Sequence, residues 1–79
     1  MAEGDFFYTR ADTGAESVLG LTPNGKCLPI PGGASQALNN TDTDAQLFTD
    51  SSCTSDGVAL GSRQTADFSA PFPAFVRFG

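Results

Sequence analysis

The 79-residue chain contains no histidine and no tryptophan, one methionine, one tyrosine, two cysteines and only four lysines and arginines. Each shortage excludes something. Without histidine, a nucleophilic serine or cysteine would need Lys26 or a carboxylate as its base, and no G-x-S-x-G elbow is present. Asp42 and Asp44 could in principle work on a glycoside, but such chemistry needs a cleft that a domain of this size scarcely accommodates. The expectation is therefore a protein that is not an enzyme. Four cations against nine Asp and Glu give a net charge of -5, which opposes attraction to a phosphate backbone and argues against nucleic acid as a partner. No apolar run approaches the roughly 18 residues of a membrane-spanning helix, so no membrane association is expected. The opening "MAEGDFFYTR" lacks the basic region and apolar stretch of a signal peptide.

What remains points to one small β domain. Stretches of tolerable helix propensity, 11–19 and 34–40, are short and rich in Gly, Ser, Thr and Asn. Short apolar or alternating runs at 6–9, 17–22, 27–30, 45–49, 57–60, 66–68 and 74–78 read as strands. The turns between them carry "PNG", "PGG", "NNTDTD" and "SDG", which supply positive φ or side-chain-closed bends. Shifting the chain by forty residues without gaps places Val18 on Val58, Pro31 on Pro71, Ala34 on Ala74 and Leu38 on Phe78. A unit of that length suits a four-stranded Greek key made twice, with pseudo-repeats at about 5–40 and 45–79 packed face to face as an all-β sandwich over a single domain, 1–79.

Cys27 and Cys53 fit one disulfide in an oxidising setting, with two buried free thiols as the alternative, and two cysteines without histidine match no zinc pattern. Asn39-Asn40-Thr41 forms a glycosylation sequon and marks an exposed loop. Eight aromatic side chains are more than so small a sandwich encloses. Pro71 and Pro73 cannot donate to a ladder, so 70–74 should run along an edge before a closing strand that turns Val76 and Phe78 inward and Phe75 and Arg77 outward. Phe6, Phe7, Phe72 and Phe75 are the candidate partner-binding residues, because contiguous exposed apolar surface marks interaction.

The element "LFTDSSCTSDGVAL", preceded by "GKCLPIPGGASQALNNTDTD" and followed by "FSAPFPAFVRFG", resembles small βγ-crystallin-type Greek-key proteins of actinobacteria, which include secreted peptidase inhibitors. The likeness runs from about Phe6 to Phe78 and rests on Tyr8 and Phe48 as first-strand aromatics, Gly14 in the turn after Tyr8, and Ser35 in the last strand of the first motif. In the second motif Cys53 and Ser55 stand where the turn's aromatic and glycine are expected. The resemblance implies a two-motif sandwich and allows a peptidase-inhibiting loop at 28–33 or 60–66, or a calcium-binding module. The places where that family binds calcium read "PGGAS" and "PFPAF" here and offer no carboxylate, and "NNTDTD" lacks the glycine and distant glutamate of an EF-hand loop, so neither a metal nor a cofactor is expected. The leading expectation is a non-catalytic subunit that docks onto a larger protein assembly, such as a decoration or cementing protein of a capsid, in a virion or extracellular setting; a homo-oligomer is a further option.

Overall fold

Alternation governs the first strand, β1 (Gly4–Arg10), where Phe6 and Tyr8 are buried and Phe7 lies exposed between them. The computed structural model describes residues 2–20 and 22–79, and contains eight strands and no helix among them. After β1 come β2 (Glu16–Leu19), β3 (Leu28–Pro29), β4 (Ala34–Thr41), β5 (Ala45–Phe48), β6 (Val58–Leu60), β7 (Thr65–Asp67) and β8 (Phe75–Phe78). They form two four-stranded antiparallel sheets, ordered β2-β1-β4-β7 and β3-β8-β5-β6. Each half of the chain builds three strands of one sheet and gives its third strand to the edge of the other. The exchange ties the halves into one core, so neither half is a closed unit by itself.

That core is one layer of side chains between the sheets: Phe6, Tyr8, Ala34 and Ala37 from the first meet Ala45, Leu47, Leu60, Val76 and Phe78 from the second. The rings of Phe6 and Phe78 meet edge to face with centroids 5.6 Å apart. Full burial of such a side chain contributes about 1.5 to 3 kcal/mol. The Tyr8 hydroxyl donates to the Pro31 carbonyl at 3.1 Å, so one side chain both fills the core and anchors the connection between β3 and β4. Val76 and Phe78 point inward and Phe75 and Arg77 are only half-buried, as alternation predicts.

The stretch 34–40 has tolerable helix propensity, and it holds Ser35, which the resemblance puts in the last strand of the first motif; it lies in β4, the longest strand, because its neighbours β1 and β7 supply ladder partners that a propensity scale does not see. Two expectations are corrected. The forty-residue shift is out by one within the ladders. Tyr8 opposite Ala37 in the first sheet corresponds to Leu47 opposite Val76 in the second, a step of 39 residues, while Ser17 corresponds to Val58. Phe78 therefore stands where Asn39 does, not where Leu38 does, and since a one-residue slip exchanges the two faces of a strand, Leu38 points away from the core. Finally, the sequon lies in a strand instead of an exposed loop. Asn39 is fully buried, its Nδ2 donating to the carbonyls of Thr43 at 2.8 Å and Leu60 at 2.9 Å, while its Oδ1 accepts from Thr41 Oγ1 at 2.6 Å. A glycan on Asn39 is incompatible with this fold, because its acceptor nitrogen is already committed inside it.

Cys27 and Cys53 form a disulfide, with Cα atoms 5.8 Å apart. It joins the approach to β3 to the long connection between β5 and β6. In that connection Cys53 has a φ of 52°, matching the 78° of Gly14 one step of 39 residues earlier. The left-handed position of the second turn is thus held by Cys53, not by Ser55.

Candidate protein-docking face

The outer surface of the β2-β1-β4-β7 sheet is built in rows by its register. Val18, Phe7, Leu38 and Thr65 stand side by side across the four strands. Phe7 is 40% exposed and Val18 51%, with Leu38 half-buried between its neighbours. On one flank of this apolar row lie Glu16, Thr9, Gln36 and Asp67, and on the other Asp5 and Asn40. Arg63 reaches Asn40 Oδ1 at 3.4 Å and is the cation placed at this border. Phe7, Leu38, Gln36, Glu16 and Thr65 line a shallow depression of about 350 Å3.

The other outer face is covered by the chain itself only around Phe48, while Gln46 and Ala59 stay exposed. Phe48 points out of β5 on that side but is buried, with the Arg77 guanidinium 5.5 Å from its ring centroid. The 49–57 connection lies against the same ring, so closely that a Cβ on Gly57 would come within 2.7 Å of Phe48 Cε1. That connection is shaped by Asp50, whose carboxylate accepts from the hydroxyls of Ser55 at 2.7 Å and Thr54 at 2.8 Å and from both their backbone N–H groups. These bonds, led by the Ser55 hydroxyl, hold the Asp50 carboxyl well below the usual carboxylate range.

The four aromatic candidates do not form one patch. Phe6 is removed from the surface altogether: it is fully buried in the core, because its neighbour Phe7 takes the outward side of β1. Phe7 occupies the open sheet face. Phe75 lies half-buried on the opposite side of the sandwich, in register with Phe48. Phe72, 36% exposed, sits on the connection from β7 to β8, and a Cβ built at Gly33 would lie 3.7 Å from the Cβ atoms of both Phe72 and Ala11. Val18 and Leu38 are the residues that complete the exposed row around Phe7. The alternation of 34–41 carried the signal for Leu38, hidden by the helical propensity of its residues.

The carboxylates considered for chemistry serve structure. Asp42 accepts from the Glu3 N–H at 2.9 Å and the Thr43 hydroxyl at 2.9 Å, and Asp44 accepts from the Ser62 N–H at 2.9 Å. The Glu3 N–H, and then the Thr43 hydroxyl, lower the Asp42 carboxyl below its usual range. Among the described residues no three Asp, Glu or Cys side chains converge as a metal site would require. The candidate inhibitory loops are both tied down. Ile30 of 28–33 is buried and its N–H donates to the Ala74 carbonyl, and in 60–66 the turn is closed by Gln64 bonded to Gly61 while Arg63 has a φ of 65°. No family model matches the chain, and neither the curated proteins nor the solved structures contain a significant match to it.

Proposed function

We propose that this chain is a non-catalytic docking subunit that attaches through the outer face of its β2-β1-β4-β7 sheet to a larger protein assembly, as a decoration or cementing protein of a capsid or comparable particle does. The observation that carries this reading is the contrast between the two outer faces. On one, the disulfide-tied connection covers the large aromatic Phe48 and leaves small or polar residues such as Gln46 and Ala59 exposed; the other leaves the large apolar side chains of Phe7 and Val18 exposed, with Leu38 half-buried beside them. An apolar row framed by Asp5, Glu16 and Asp67 suits a partner surface that is apolar at its centre and basic at its border. The two four-stranded motifs packed face to face also suit the βγ-crystallin resemblance. The inhibitor reading that goes with it has less support, because a peptidase cleft takes an extended segment and both candidate loops are folded into bonded turns.

Sedimentation of the protein from its source tests the proposal. The native chain should travel with an assembly far heavier than its own 8.2 kDa, and Phe7→Ser should sediment free while losing no more than about 1 kcal/mol of stability, as expected for an exposed strand position. Phe72→Ala, on a different surface, should remain attached. A native chain found free at 8.2 kDa, or a Phe7→Ser variant still bound, overturns it.

A further inference from the structure

The sandwich is also open along one side, next to the docking face, with which it shares Asp67 at the border. β6 ends one sheet and β7 the other, so each has an edge without a ladder partner among the described residues. Between those edges runs a groove of about 310 Å3. Leu47, Val58, Ala66, Phe68, Pro71 and Pro73 supply its apolar lining. Val58 pairs with the core residue Leu47 and so belongs to the inward side of its sheet, yet it is 49% exposed. Ala66, opposite Ala37, occupies the ladder position that the larger Leu28, opposite Val76, takes in the other half of the molecule; both pack against the core, and the smaller side chain fills less of the space it shares with Val58. The groove carries two carboxylates, Asp56 and Asp67, and no lysine or arginine lines it.

We infer that this groove receives an extended segment of a partner protein, one large apolar side chain seated over Val58 and Phe68, with lysine or arginine on either side of it. Three complementary features define that occupant. The free edge of β6 offers backbone donors and acceptors to an added strand. The volume, at the lower end of ligand-pocket sizes, suits a side chain more than a whole ligand. The two carboxylates select a basic flank and reject a second copy of this chain, whose net charge is -5.

The experiment is selection of a random dodecapeptide display library on the intact, oxidised protein, followed by affinity measurement of one synthetic peptide that carries the consensus. The expected consensus is leucine or an aromatic residue with lysine or arginine within two positions. Its peptide should bind at least tenfold more weakly to Val58→Asp and to the Asp56→Asn/Asp67→Asn variant, and equally well to Phe7→Ser. The asparagine variant keeps the test decisive if aspartate at position 58 impairs folding, which thermal melting reveals. No consensus, a consensus without basic residues, or a peptide that binds these groove variants as it binds the native chain overturns the inference. Binding lost only in Phe7→Ser also overturns it, and leaves the docking face standing.

Discussion

Asp50 shows how much one half-buried side chain organises in a protein with so little core. Its carboxylate gathers the hydroxyl and N–H donors of Thr54 and Ser55 and so shapes the connection that covers Phe48. Because those bonds favour the charged form, the folded state holds this carboxyl below its unfolded value of about 3.9. A depressed folded value contributes stability that is present above the unfolded value and is lost as pH falls through the folded one. The melting temperature should therefore decline on acidification below about pH 4. Asp50→Asn should melt lower than the native chain at pH 7 and decline less steeply in acid; parallel curves for the two proteins would assign the acid sensitivity elsewhere. Asn39 makes a different point at the same scale. It is a polar residue in a core position, satisfied by two carbonyls and a hydroxyl, and no hydrophobicity pattern marks it as buried.

At the scale of the element, β1 and β4 form the longest ladder, and its start depends on Gly4. This residue has a φ of 111°, and a Cβ there would fall 2.2 Å from the Asn40 carbonyl oxygen, a backbone atom with no side-chain freedom to yield. Gly14, at a φ of 78°, has open space around it. Gly4→Ala should thus cost about 1 to 3 kcal/mol in urea unfolding, and more than Gly14→Ala, which meets only the conformational penalty. Equal losses would mean that the close approach at Asn40 relaxes freely. The same ladder explains why the pattern of apolar runs missed β4, which only the resemblance marked at Ser35: alanine, glutamine and leucine are better helix formers than strand formers, and pairing on both sides gives 34–41 its extended form.

For the whole molecule, strand exchange and the disulfide both fasten one half to the other. The bridge spans 26 positions and links the first half, before β3, to the connection that covers Phe48 on the outer face of the sheet containing β5. In the chain-entropy model a loop of this size contributes about 3 to 4 kcal/mol, a large share of the total for a small domain. Reduction should lower the melting temperature by several degrees or more, and the oxidised protein should weigh two hydrogens less than the reduced one. Two alkylatable thiols in the native protein would contradict the bridge. Reduction should also loosen the 49–57 connection before it disturbs Phe7 on the opposite face, so a spectroscopic probe beside Phe48 should respond at lower reductant concentration than one beside Phe7.

The fold class of this protein is legible in its residues alone. Short alternating runs, turn residues between them and a shortage of helix-forming segments leave an all-β sandwich; alternation put Val76 and Phe78 on one face, while the forty-residue shift that chose this face as the inward one set Phe78 on Leu38, which points outward. These are local properties, written in steps of two residues and in the backbone freedom of glycine, asparagine and proline. Tertiary structure decided which outward residues stay exposed. Phe7 and Phe48 both point away from the core, but Phe48 lies beneath the 49–57 connection and Phe7 beneath nothing among the described residues. It also decided the register of the halves, where a difference of one residue sends Leu38 outward and lets Asn39 be buried. Cover and register arise between segments distant in the chain. A pattern read along one strand carries no term for what packs across it.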